Sequence, residues 1–313
     1  MSTKKSLPRG TKQEKAIPHI EEVADKVYRL ETPIPGMTTV FAVYLIKESE
    51  EILIEPGPAA AVPSIRDGMS HLGMKNLAYI IPTHIHVDHA GGTGALAQLF
   101  PQAKVLVHPS GLKHAVDPSR LIESTKNVFG PDFEASLGAI LPVPESQIKV
   151  PEDGEVISVN SRELQIIYAP GHAPHHIAIF DRAVKGIFCG EALGLPGEGA
   201  EPFPLPAVAP PGFDQELCLE TMEKLRKLDS QMLFYSHGGI GREPDKLISI
   251  AEENTRALGD IILNALKEGE AAEAISRRVG NHVASRFGLE LSEFDLAMTV
   301  AGYTIYFTKK GLI

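Results

Sequence analysis

The chain has 313 residues, 43% of them hydrophobic and 22% charged, which excludes wholesale disorder and allows a sizeable core. A formal charge of −10 argues against an extended nucleic-acid or anionic-membrane footprint. With only Cys189 and Cys218 present, no disulfide framework is expected, and no run of about eighteen apolar residues marks a transmembrane helix. The basic N-terminal stretch lacks the apolar segment of a secretory signal, so a cytoplasmic location is expected.

Residues 1–18 read as a flexible, solvated tail. From Val27 the pattern is strand-like, in KVYRLET, then 39–47, then 51–58, where a Gly-Pro pair breaks it. A helix over roughly 61–73 precedes the apolar strand 77–82, which runs into THIHVDHAGG and a helix over 93–100. Strand 104–108 and a polar, helical insertion over about 110–140 follow. EVISV and ELQIIYAP read as a hairpin, with strands at 176–180 and 186–191 behind it. Six prolines in 195–212 exclude regular helix or central strand there. A helix over 214–228 and strand 232–238 complete a main body taken as residues 19–243, an α/β sandwich with both sheet faces covered. Residues 244–313 read as a small all-helical domain. Pro244 suits a first turn, Ile275, Val279, Val283 and Phe287 recur at i+4, and Ser292 is placed to cap a last helix.

The chemistry concentrates in Thr83-His84-Ile85-His86-Val87-Asp88-His89-Ala90-Gly91-Gly92. On extended chain His84 and His86 project to one side and can grip a single ion. Asp88 and His89 are adjacent and would diverge on a strand, so a turn is required to aim them at a second ion. Imidazoles with a carboxylate suit Zn²⁺, Fe or Mn.

This motif resembles the signature of the metallo-β-lactamase superfamily. Three later segments resemble that family's remaining motifs in the expected order: APGHAP around His172, FCGE ending at Glu191, and FYSHGG around His237. The resemblance covers about residues 25–240 and implies an αββα sandwich around a dinuclear metal site, with His84, His86 and His172 on a first metal. Asp88, His89 and His237 would hold the second, with Glu191 contributing to both. Glu191 stands where aspartate is usual, so either its backbone sits back or it serves one metal alone. Glu55 also replaces a usual aspartate, and its implied role is to accept a hydrogen bond from a ligand histidine.

Two divalent ions, less Asp88, Glu191 and one hydroxide, leave about one positive charge, enough to hold an oxyanion. A metal-bound hydroxide at neutral pH needs no serine or cysteine, and Asp88 is the implied catalytic residue, orienting the hydroxide and carrying its proton to the leaving group. The expected activity is hydrolysis of an ester, thioester, lactone or related bond in a small-molecule substrate, using two divalent ions, Zn²⁺ first among them. The helical C-terminus is distantly similar to glyoxalase II, although no glutathione-recognition residues can be placed. The lack of an export signal weighs against antibiotic hydrolysis.

The rival reading is a non-haem iron protein that binds or activates oxygen, or a persulfide dioxygenase. Flavodiiron proteins place glutamate where His86 stands, which weighs against it. No nucleic-acid or membrane partner is expected; the aromatic helix faces at Tyr303, Tyr306 and Phe307 are read as sealing against the main body or against the second subunit of a homodimer. His175 and His176 are read as cleft-lining, proton-carrying or structural. Cys189 is read as a buried hydrophobe and Phe203 as an apolar anchor or loop packing.

Overall fold

The computed structural model describes residues 19–33, 40–197 and 203–313; the tail over 1–18 lies outside them. Seven strands form the first sheet, in chain order: β1 (Ile20–Ala24), β2 (Val27–Pro33), β3 (Val40–Ile46), β4 (Ile52–Ile54), β5 (Tyr79–Ile81), β6 (Lys104–Leu106) and β7 (Ile148–Lys149). The first four pair antiparallel, and from β4 onward the pairing is parallel. Parallel neighbours need crossovers, which α1 (Val62–His71), then α2 (Val87–Ala90) with α3 (Thr93–Leu99), supply on either side of β5. The 110–140 insertion folds as α4 (Leu112–Val116), α5 (Ser119–Phe129) and α6 (Glu134–Leu137).

The second sheet holds β8 (Val156–Val159), β9 (Arg162–Tyr168), β10 (Ile177–Asp181), β11 (Gly186–Gly190), β12 (Met232–Tyr235) and β13 (Ile240–Gly241). β8 and β9 form the expected hairpin, turning at Asn160 with φ of +57°, a conformation asparagine tolerates. The β11–β12 pair is parallel, bridged by α7 (Gln215–Arg226), whose N-cap Asp214 accepts from the Leu217 N–H. Three C-terminal helices follow, α8 (Pro244–Lys267), α9 (Ala272–Phe287) and α10 (Glu293–Lys309), the last capped by Ser292 as its sequence suggests.

Strand alternation sorts the side chains into layers. Ala42, Tyr44 and Ile46 of β3 join Ile177 and Ile179 of β10 between the sheets, while Phe41, Val43 and Leu45 pack on the other side against α1, α3 and α6. Ala178 and Phe180 face a third cluster shared with α7 to α10. The result is an αββα sandwich. β3 and β10 are covered on both faces, and so read as unbroken apolar runs.

Tyr303, Tyr306 and Phe307 are buried within the single chain. Tyr303 and Tyr306 lie against Phe213, so these rings seal α10 onto the main body. The Tyr303 hydroxyl donates to the Thr255 carbonyl of α8 at 2.7 Å. Tyr303→Phe is expected to cost about 1 kcal/mol in urea unfolding, the net worth of one such bond; an unchanged midpoint would mean that the bond contributes nothing. Phe203 stacks on Phe287 at 4.4 Å, which makes it loop packing against α9.

A candidate dinuclear metal centre

Both sheets end at the same place, and each sheet delivers part of the site. After β5 the chain bends at Thr83, His84 and His86 rather than running on as the extended segment expected from the sequence, and His86, with ψ of 152°, leads into α2. His84 and His86 still meet, with ring centroids 4.5 Å apart. Asp88 and His89 sit in the one short turn of α2, the turn their adjacency demands. From the second sheet come His172 beyond β9, Glu191 directly after β11, and His237 two residues past β12.

These side chains gather as two groups: His84, His86, His172 and Glu191, and Asp88, His89 and His237. Within each group the ligand atoms lie within 4.8 Å of one another. In the first group, His86 Nδ1 is 3.0 Å from both His84 Nε2 and His172 Nε2, which are themselves 3.2 Å apart. Nitrogens bound at about 2.0–2.1 Å to a tetrahedral ion would be separated by about 3.3 Å. The spacing therefore fits a small divalent cation. In the second group, His89 Nε2 stands 3.3 Å from His237 Nε2 and 3.3 Å from Asp88 Oδ2. All seven residues expected from the sequence are brought together.

Glu191 links the groups. Its Oε2 is 2.9 Å from His172 Nε2, 3.3 Å from His84 Nε2 and 3.3 Å from His89 Nε2. One oxygen thus faces both sets of nitrogens, the position a bridging carboxylate requires. Glycine is required just before it: Gly190 has φ of +54°, and a Cβ there would lie 2.6 Å from Thr83 Oγ1 and 2.7 Å from His176 Nε2.

The surroundings fix which nitrogen each ring presents. His172 Nδ1 donates to the Ala207 carbonyl at 3.0 Å, leaving Nε2 with its lone pair toward the site. Glu55, buried and with φ of +59°, accepts from Thr83 Oγ1 at 2.5 Å, from Ser236 Oγ at 2.6 Å and from His89 Nδ1 at 3.2 Å. The role implied by the resemblance is therefore met, and two hydroxyls are added to it. Each precedes a site histidine: Thr83 comes before His84, Ser236 before His237.

Electrostatics agree with this donor set. Burial and the neighbouring His172 push His86 down to about 4, so its ring is neutral and able to donate a lone pair. Burial, then His89 and His86, lowers His84 as well. Burial opposes ionisation of Glu191, but His172 outweighs it, with bonds to His84 and His89, and holds the carboxyl well below its usual range. For Asp88, burial is likewise outweighed by His89 and by the bond to His237. By themselves these side chains thus combine neutral His84 and His86 with ionised carboxylates. Burial is outweighed by Asp88 and Glu55 at His89 and by Glu191 at His172, and both of these rings are raised above the usual histidine range.

The sequence alone leaves His176 undecided. It is fully buried, stacks on His84 with centroids 4.9 Å apart, and its Nε2 accepts the Glu191 backbone N–H at 3.2 Å. It is a positioning residue for Glu191. His175 Nδ1 accepts the Ile85 N–H at 3.4 Å. Cys189 is fully buried, with its thiol pushed up by burial and directed at the Phe234 carbonyl, so it offers no nucleophile.

A family model described as the metallo-β-lactamase superfamily matches residues 35–237. A metallo-β-lactamase fold-containing protein of Sulfurisphaera tokodaii is 26% identical over 209 residues, 66% of this chain and 74% of that protein. The hydroxyacylglutathione hydrolase of Aeromonas salmonicida is 26% identical over 166 residues, and the chain spans 51% of that enzyme's length while 53% of this chain is matched. Among solved structures, a metallo-β-lactamase family protein of Thermus thermophilus superposes with a TM-score of 0.70 at 21% identity. That superposition covers 93% of this chain and 95% of the other, and it carries the fold.

Proposed function

The chain belongs to the metallo-β-lactamase superfamily, and from that premise we propose that it is a hydrolase holding two divalent cations and cleaving an ester, thioester, lactone or related bond of a small molecule. The observation that carries this reading is the pair of ligand groups joined through one oxygen of Glu191. When bound, such ions supply a water acidic enough to attack at neutral pH and positive charge for the developing oxyanion. His84, His86 and His172 would hold one ion, His89 and His237 with Asp88 the other, and Glu191 both. Zn²⁺ suits this nitrogen-rich set, with Fe or Mn as alternatives.

The protein's own part is to orient and to move a proton. Asp88 is partly exposed to the cleft, and its carboxylate is ionised, so it can receive a proton from the attacking water and return it to the leaving group. Glu55 and the Ala207 carbonyl hold His89 and His172 in their tautomers. That a hydroxyacylglutathione hydrolase is among the relatives supports the thioester end of the range.

Elemental analysis of protein expressed without added metal, together with a visible spectrum, tests the reading. About two zinc ions per chain, without a visible band, is the expected result. Iron with an oxygen-sensitive charge-transfer band would replace hydrolysis with iron–oxygen chemistry.

A further inference from the structure

A cleft of about 670 Å³ opens onto the candidate metal centre at Asp88, Glu191 and His237. Its far side is built by the C-terminal helices and is apolar: Leu258 of α8, Leu289 and Leu291 before α10, and Phe294 and Met298 on α10, with Phe41 opposite. Phe294 is 49% exposed and Leu289, Leu291 and Met298 are half-buried, so this wall faces water and gains by being covered.

The charged groups beside that wall are mostly acidic. Among the described residues Glu31, Glu290 and Asp295 line the cleft with one cation, Arg29, whose guanidinium is paired with Glu31. An anionic substrate would meet the carboxylates of Glu290 and Asp295 on approach, with Arg29 already engaged by Glu31. A neutral chain would meet a surface that rewards each methylene it covers.

Resting on the hydrolase reading, we propose that the substrate is an uncharged ester or thioester with an apolar arm, the reacting carbonyl at Asp88 and His237 and the arm along Leu291, Phe294 and Met298. A glutathione thioester, with its two carboxylates, is the wrong chemistry for this cleft.

Two chain-length measurements and one thioester comparison, on the zinc-loaded full chain, test this. For p-nitrophenyl esters from acetate to octanoate, kcat/KM should rise about two- to fourfold per methylene. The neutral fluorophore N-phenyl-1-naphthylamine should be displaced by octanol well before butanol, with a similar factor per carbon. Met298→Glu should flatten both series and Met298→Leu should preserve them, with circular dichroism confirming that both variants fold. The neutral thioester S-lactoyl-N-acetylcysteamine should be cleaved at least as well as S-lactoylglutathione. A flat chain-length series in both measurements, or a tenfold preference for the glutathione thioester, overturns the proposal. Length-dependent displacement with no ester cleaved keeps the cleft assignment and removes the hydrolase reading. Cleavage without any length dependence does the reverse.

Discussion

His86→Ala is expected to strip the metal and to lower kcat/KM by about 10⁴-fold, because the proposed hydrolysis draws its nucleophile from a metal-activated water. His86 Nδ1 is the point from which His84 and His172 are both 3.0 Å away, so its removal opens one face of the first ligand group. The backbone has no share in the loss. Among the described residues His86 makes its side-chain bonds only to other site histidines, and the turn into α2 rests on its carbonyl, which accepts from the His89 and Ala90 N–H groups and survives the substitution. Stability in the presence of chelator should therefore stay close to the parent, within about 0.5 kcal/mol, while zinc content and turnover fall together. His71→Ala, at the exposed end of α1, serves as the control and should change neither. Retention of both metal and activity in His86→Ala would remove His86 from the ligand set.

How far the site is legible in the sequence depends on how local each signal is. His84, His86, Asp88 and His89 fall within six residues, and the requirement that Asp88 and His89 need a turn is what α2 supplies. His172, Glu191 and His237 have no informative spacing; they are recognisable because three strand-end motifs follow in a known order. His176 is not assignable from sequence, since its role depends on a bond to the Glu191 backbone fifteen positions away. The apolar cleft wall is equally hidden, because Leu258, Leu291 and Met298 become neighbours only when α8 and α10 pack. In the fold, the long apolar strands and Ser292 are plain. β1 escapes notice because IEEVA buries only Val23 on an edge strand, and β7 and β13 because two-residue strands carry no periodicity.

Glu55 should separate stability from metal binding through two substitutions with different outcomes. Its carboxylate ties the sheets together at their ends: Thr83 follows β5, Ser236 follows β12, and His89 stands between them in α2. Glu55→Ala removes the acceptor for all three buried donors at once, and a loss of about 3–5 kcal/mol is expected in denaturant unfolding with chelator present. Glu55→Gln keeps the volume and, with its carbonyl oxygen toward Thr83 and Ser236, keeps their bonds. The φ of +59° is common to both variants and cancels from the comparison. The glutamine amide, however, places an N–H group against His89 Nδ1, which must then accept, moving the ring proton to Nε2, the atom that faces Asp88, Glu191 and His237. A ring protonated there cannot ligate. The reversed amide would satisfy His89 but leave the Thr83 hydroxyl proton without its acceptor, while that oxygen still receives His84 Nδ1. The first orientation keeps both hydroxyl bonds and is the favoured one, so Glu55→Gln is expected to lose only about 1 kcal/mol of stability yet bind zinc about 10- to 100-fold more weakly by competitive chelator titration. If Glu55→Gln instead bound zinc as tightly as the parent, Glu55 would be a brace between the sheets with no hold on the tautomer of His89.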